Sequence, residues 1–373
     1  MNSEIRSLFS ALEHYTYLNS AAVSPLPKTA IAAVNSQLED VAAHGSAHYL
    51  TWLEKKNSAR SILARMLNVR PENIAFTRNT SDGFAAIANG ITWQPDDNIV
   101  SFAREFPANY YAWRSIRDRF GVELRLCPER DGGINLDELI AMIDSNTRVV
   151  AISSVQFGSG FRADLERIGR AARAVDALFC VDLIQGLGAH AYDLPAQYVD
   201  AASGATHKWL CAPEGCGYLY VSDRARDRIE PVLTGWISVE TPWDFEDREQ
   251  PFKPNALAWE SGTGASSLFY GLEESLNLLD GVGLAKIESH LEQLTDQLCD
   301  SLAGKDYDIV SSRAPGERSA IVCIAHRTMD CNEVAKQLAD ANIVVSPREG
   351  RIRVAPHFYN DSSDIERLIE VLP

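Results

Sequence analysis

Phe179-Cys180-Val181-Asp182-Leu183-Ile184-Gln185 is an apolar run that ends in a carboxylate. Bare apolar runs of this kind are strands buried on both faces, as in parallel sheets covered by helices. Ligands of open α/β sheets bind beyond the carboxyl ends of the strands. Asp182 therefore faces a crevice, unless it only caps a helix or closes a turn. Ile74–Thr77, Asn98–Phe102, Glu123–Cys127, Arg148–Ser153, Ala201–Ser203 and Gly217–Val221 read as further strands. Ser58–Leu67, Asp82–Ala88, Tyr110–Phe120, Leu136–Ile143 and Leu165–Val175 carry helical spacing between them. The alternation predicts an α/β fold with a mainly parallel sheet and helices on both faces.

The pattern changes at Thr241–Asn255, where Pro242, Pro251 and Pro254 stand among acidic residues and mark a loop. Helices follow at Leu268–Leu279 and Leu284–Leu302. A smaller α+β unit comes next, with strand Ser319–Ile324, helix Cys331–Ala341, strands Ile343–Ser346 and Arg351–Ala355, and helix Ser363–Leu372. The expected organisation is a large domain over residues 16–255 and a smaller one over 256–373, with residues 1–15 packed on the latter.

The chain has 373 residues, 46% apolar and 23% charged, which are ordinary globular values. With 35 basic and 51 acidic residues its net charge is −16. That excess argues against nucleic acid or an anionic membrane as partner. It does not bar a small anionic ligand, because a few local donors outweigh the global field. The seven cysteines are scattered without C-x-x-C spacing. They predict free thiols rather than a disulfide framework or a metal centre. No segment resembles a signal peptide or a membrane span, and the expected location is the cytoplasm.

Two further segments carry chemistry. Ser203-Gly204-Ala205-Thr206-His207-Lys208-Trp209 sets a lysine among small residues after an apolar run. A lysine partly removed from water has a lowered pKa and can form a Schiff base; a lone lysine is otherwise a solvated loop residue. Phe76-Thr77-Arg78-Asn79-Thr80-Ser81-Asp82-Gly83 runs from strand to helix through hydroxyl and amide side chains. A helix N-terminus of that kind is either an anion site or a plain N-cap. Together the three segments supply what pyridoxal 5'-phosphate requires: a lysine for its aldehyde, a carboxylate for its pyridine nitrogen and a cup for its phosphate.

Here the chain resembles the class V aminotransferase and cysteine desulfurase group of fold-type I pyridoxal phosphate enzymes. The likeness runs from Tyr17-Leu18-Asn19-Ser20-Ala21-Ala22 to Arg353-Val354-Ala355-Pro356-His357-Phe358-Tyr359-Asn360. It implies that Lys208 holds the cofactor and moves the Cα proton, and that Asp182 pairs with the pyridinium. It implies further that Gln185 bonds the phenolic oxygen, that Thr80, Ser81, Thr206 and His207 cup the phosphate, and that Phe106 stacks on the ring. Thr263, in Trp259-Glu260-Ser261-Gly262-Thr263, matches the segment that reaches a partner subunit's phosphate, which implies a homodimer with interfacial sites. Arg353 matches the arginine that clamps an amino-acid substrate's carboxylate, and Arg351 is the weaker candidate. Asn19, Gln156 and Trp236 are expected to line the substrate pocket.

Other features carry less. Gly186-x-Gly188-x-x-Ala191 imitates a dinucleotide fingerprint, but Asp193 and Pro195 follow too soon for a long helix. Cys211 and Cys216 read as small packing residues. His44 and His48 lack a third ligand for a metal. Val345–Tyr359 contains no cysteine, which speaks against desulfuration through a protein persulfide, the route the resemblance would place there. Val155–Gly160 and Phe106 lean toward a kynureninase-like branch, yet Gly235-Trp236-Ile237-Ser238 lacks that branch's histidine-bearing form. The sequence thus places an aminotransferase first, with a C–S or C–C lyase or an epimerase as alternatives. A non-catalytic cofactor-binding scaffold is the alternative from another class.

Overall fold

The computed structural model describes residues 3–373; the first two residues of the expected 1–15 segment lie outside it. A seven-stranded sheet carries the large unit. Its strands are β1 (Ile74–Thr77), β2 (Asn98–Phe102), β3 (Glu123–Cys127), β4 (Thr147–Ser153), β5 (Leu178–Asp182), β6 (Ala201–Ala205) and β7 (Gly217–Val221). The spatial order is β1-β7-β6-β5-β4-β2-β3. Only β7 runs antiparallel to its neighbours, and the remaining pairs are parallel.

The reason β5 reads as an unbroken apolar run is that both its faces are covered. Phe179 and Val181 join one hydrophobic cluster, with Phe161, Ile168 and Leu183. Leu178 and Cys180 join another, with Phe84, Trp113 and Ile116. The chain adds β3 on one side of β2 and β4 on the other, so the connections diverge between β2 and β4. Crevices open at such a switch point, beyond the carboxyl ends of the strands. Ser153 at the end of β4 is in register with Asp182, and Asp182 with Ser203 of β6.

Helix Thr80–Gly90 follows β1 and is capped by Asn79, whose side chain accepts the Asp82 amide. Gly83 lets that helix lie directly on β6. A Cβ there would stand 2.1 Å from Ser203 Oγ. The Gly186-x-Gly188 pattern has a similar local cause. A Cβ at Gly186 would meet the Tyr192 hydroxyl at 1.7 Å, and Gly188 adopts φ +105° against the Trp209 carbonyl. No helix opens after it among the residues up to Ala201.

The smaller unit is a four-stranded antiparallel sheet in the order Tyr307–Ile309, Val322–His326, Arg351–Val354, Ser346–Arg348. Ile352, Val354, Val322 and Ile324 pack with Leu294, Leu298, Leu338 and Ile365 from helices Leu284–Ser301, Cys331–Asp340 and Ser362–Val371. The expected strand Ile343–Ser346 is divided. Ile343–Val344 pairs in parallel with Thr16–Tyr17, whereas Ser346–Arg348 forms a hairpin with Arg351–Val354.

Packing ties the segments around residues 15 and 255 to both units. Leu18 lies in the core of the small unit, while Phe9 and Ala21 on either side of it join the cluster of the large unit. Phe269, Leu272, Leu276 and Leu279 of helix Ser266–Val282 join the core of the large unit. That helix rests on helices Lys28–His44 and Tyr49–Met66. No helix among the described residues is long and apolar enough to cross a membrane.

Candidate active site

Asp182 closes β5 and is 1% exposed. Its Oδ1 accepts the Ile184 amide at 2.9 Å, and its Oδ2 has no partner. Burial pushes the carboxyl pKa up; the Ile184 amide opposes that, the Glu105 charge adds to it, and Lys208 opposes it. Lys208 stands beyond the end of β6, 7% exposed, with Nζ 5.2 Å from the centre of the Phe106 ring. Burial pushes its pKa down; Asp182 pulls it back up, and Arg353 and Arg348 lower it further. Desolvation disfavours the charged form of an acid and of a base alike, so the pair is poised near neutrality.

Residues around Lys208 hold its loop. Thr206 was expected at the phosphate, but its hydroxyl lies 2.9 Å from the carbonyls of both Pro213 and Cys216. Its single donor proton braces the loop in this arrangement. Trp209 donates from Nε1 to Gln185 Oε1 at 2.9 Å, and its carbonyl accepts from His357 Nε2 at 2.8 Å. Gln185 also donates to the Ala21 carbonyl at 3.0 Å, which leaves the second N–H of its amide for a ligand. His207 is half-buried, and burial pushes its pKa down.

The N-terminus of helix Thr80–Gly90 reaches the same region through Gly83 and Ser203. The Thr80 hydroxyl is buried without a partner, and Ser81 is exposed on the same turn. Free amides and the helix dipole favour an anion there. Phe106, 36% exposed, meets Phe157 edge-on at 5.2 Å.

Arg353 is 2% exposed and has no carboxylate partner among the described residues. It donates from Nη1 to the Phe157 carbonyl at 3.0 Å, while Nε has no acceptor. Gln156 donates to Glu105 at 3.0 Å and leaves Oε1 unpaired. Asn19 is bridged to Ala355, beside Arg353, and its Oδ1 is unpaired. Each buried orphan costs about 1–3 kcal/mol. Atoms on five expected site residues (Asn19, Thr80, Gln156, Asp182 and Arg353) share this condition, as a binding site requires.

These orphans fit pyridoxal 5'-phosphate and an amino acid. Asp182 Oδ2 suits a pyridinium N–H, the Thr80 turn suits a phosphate, and Gln185 has an N–H for a phenolic oxygen. When bound, the cofactor supplies an aldehyde and an electron-withdrawing ring. Trp236 stands apart from these groups, whereas Thr263 lines a cavity that also takes in Thr77, Arg78 and Asp82 at the entry of helix Thr80–Gly90. Trp236 packs with Trp243 at 5.2 Å in an exposed aromatic cluster that includes Tyr49 and Phe245. Thr263 is exposed beside it.

Sequence reasoning missed Glu105. It is 7% exposed and accepts both the amide and the hydroxyl of Ser153. Burial pushes its pKa up, against the hydrogen bonds from Ser153, Asn109 and Gln156. The available signal was its place between the end of β2 and a helix start. The third group missing from the His44 and His48 pair also appears: Asp40 Oδ1 lies 3.0 Å and 2.6 Å from their Nδ1 atoms, and Trp52 donates to Oδ2 at 2.9 Å. Those three groups are partly or largely exposed, and they belong to a different part of the fold.

A buried carboxylate whose folded pKa is raised loses stability as pH rises through that pKa. Asp182→Asn is accordingly expected to leave the cofactor-free protein at least as stable as the parent at pH 8. The same change should lower turnover by about 10²–10³-fold, the usual loss when one electrostatic contact to the reacting system is removed. Thermal melts beside steady-state assays check both; a melt well below the parent's would contradict the account.

The aminotransferase class-V family model matches residues 16–368. The chain belongs to that family, and its cofactor is pyridoxal 5'-phosphate. It is 27% identical to a probable cysteine desulfurase of Methanothermobacter thermautotrophicus, over 99% of this chain and 96% of the relative. It is 24% identical to the uncharacterized aminotransferase YcbU of Bacillus subtilis, over 98% and 96%. The fold is that of the apo cysteine desulfurase from Thermococcus onnurineus NA1, with TM-score 0.91, 22% identity and coverage of 100% and 97%.

Proposed function

We propose that the protein cleaves the Cβ–S bond of a cysteine-derived amino acid without forming a persulfide on its own chain. The observation that carries this reading is the tip of the hairpin that bears Arg353. Between Ser346–Arg348 and Arg351–Val354 it is the tight turn Glu349-Gly350, with φ +49° and +78° and no cysteine. The thiol beside Arg353 in the sheet is Cys323. It is buried against the Gly158 carbonyl at 3.2 Å, and burial pushes its pKa up to about 11. A thiol so held is a poor nucleophile. The likeness to a relative named as a desulfurase supports C–S chemistry and moves it ahead of the transamination that the sequence put first.

In this reading Arg353 holds the substrate carboxylate, Phe106 covers the ring and Asp182 keeps the ring nitrogen protonated. Lys208 takes the Cα proton. The Cβ–S electron pair leaves with sulfur, which gains a proton, and hydrolysis releases pyruvate and ammonia. The active form is a homodimer in which Trp236 and Thr263 face the partner's site. The exposed cluster of Trp236, Trp243 and Phe245 supports this. Seven free cysteines support a reducing, cytoplasmic setting.

The test is to incubate the cofactor-loaded enzyme with L-cysteine, L-cystine and cysteine S-conjugates. Pyruvate is expected in step with the released sulfur species, and the protein's mass should show no added sulfur. Accumulation of a lasting pyridoxamine form would establish transamination instead, and a sulfur adduct on the protein would overturn the proposal.

A further inference from the structure

Arg353 is one of three arginines on one face of its hairpin. Cα pairing sets Ser346 opposite Arg353 and Arg348 opposite Arg351. Side chains two apart on a strand share a face, as do directly opposed ones, so Ser346, Arg348, Arg351 and Arg353 project together. Ile352 and Val354 occupy the other face, inside the small unit's core. The arginine face therefore turns away from that core, toward the large unit. There Arg353 reaches the Phe157 carbonyl, and Cys323, its neighbour across the sheet, reaches the Gly158 carbonyl.

Of the acids around this face, one neighbours Arg351 and the other two are engaged elsewhere. Glu129 lies 3.8 Å from Arg351 and accepts from Ser159. Glu349, at the hairpin tip, is ion-paired with Arg104. Glu105 is held by Ser153 and Gln156. Arg348 has a single hydrogen bond, to the Pro347 carbonyl at 3.1 Å, and no ion-pair partner among the described residues. Its charge is felt by both Arg353 and Lys208. Two guanidinium groups one diagonal step apart, about 7–8 Å between Cα atoms, thus lack a carboxylate partner among the described residues: Arg353 is buried, and Arg348 is open to solvent at the hairpin's end. One of them is satisfied by a substrate's α-carboxylate.

We propose that Arg348 forms a second anion subsite, so that the preferred substrate is an amino acid whose side chain ends in a carboxylate or a similar oxyanion. Among sulfur compounds this selects cysteine conjugates bearing an acid on the sulfur substituent. The assignment rests on the active-site reading above. Guanidinium suits the task because its planar fork grips a carboxylate by two hydrogen bonds; the charge of Arg351 is already offset by Glu129 at 3.8 Å, although its Nη1 has no hydrogen-bond partner.

Binding of unreactive acids tests the subsite apart from turnover. Succinate and butyrate are titrated into the cofactor-loaded enzyme while tryptophan fluorescence and the visible cofactor band are recorded. Succinate is expected to bind at least tenfold more tightly than butyrate. In Arg348→Met that preference should vanish while butyrate affinity stays within about twofold, and Arg348→Lys should restore part of it. Equal affinities in the parent, or a preference untouched by Arg348→Met, overturn the subsite but leave the enzyme reading standing. Failure of the parent to take up the cofactor at all would overturn both.

Discussion

Lys208→Ala is expected to abolish covalent attachment of the cofactor and to lower turnover by at least about 10²–10⁴-fold, the range for loss of a positioned general base. Lys56, another largely buried lysine, is engaged with Glu260. Borohydride reduction of the loaded parent should fix the cofactor to the chain, as mass spectrometry would show, and should fix none to the variant. Retained fixation would refute the assignment of Lys208. The parent carries a pH signature as well. The amine must be neutral to attack an aldehyde, and burial holds the Lys208 pKa below the ordinary lysine value of about 10.4. The rate of loading onto the cofactor-free protein should therefore rise with pH and level off well below that value.

Glu260→Gln is expected to have the largest effect on stability. Glu260 is 7% exposed and lies 2.5 Å from Lys56 and 2.7 Å from Arg60, which are themselves largely buried. Its Oε1 also accepts the Phe76 amide of β1 at 2.9 Å. Although burial alone would raise its pKa, Arg60 and Lys56 outweigh that and hold it down at about 2. Removing one partner of a buried ion pair leaves uncompensated charge and costs about 3–5 kcal/mol. The guanidinium midpoint of the variant should drop accordingly at pH 7. A depressed carboxyl pKa contributes stability that is present above the unfolded value of about 4.3 and lost as pH falls through the folded value. The gap between parent and variant should thus close between about pH 4 and pH 2. A gap independent of pH in that window would mean that shape rather than charge is responsible.

The features that sequence made legible share one cause: they depend on neighbours along the chain. Val149–Ile152 and Phe179–Val181 read as strands because each face is buried in its own cluster. Asp182 and Lys208 stood out because strand ends in this topology converge. Glu105 was hidden because its partners Ser153 and Gln156 lie 48 and 51 residues away. Helix Lys28–His44 was hidden for another reason. It buries only Ala30 and Gln37, so no apolar stripe marks it. The bonds of the Thr206 hydroxyl were hidden because its acceptors, Pro213 and Cys216, are backbone carbonyls and leave no trace in residue type.

The residues proposed to hold the cofactor, Asp182, Gln185, Lys208 and Thr80, all hang from the seven-stranded sheet, whereas Arg348 and Arg353, proposed for the substrate, hang from the four-stranded one. The two affinities are therefore free to diverge in evolution. Repacking of the small unit can retune which amino acid is accepted while the prosthetic group stays as tightly held as before. A family built this way can diversify its substrates by drift in one module, and substitutions in that module should surface as altered preference long before they surface as loss of the chromophore.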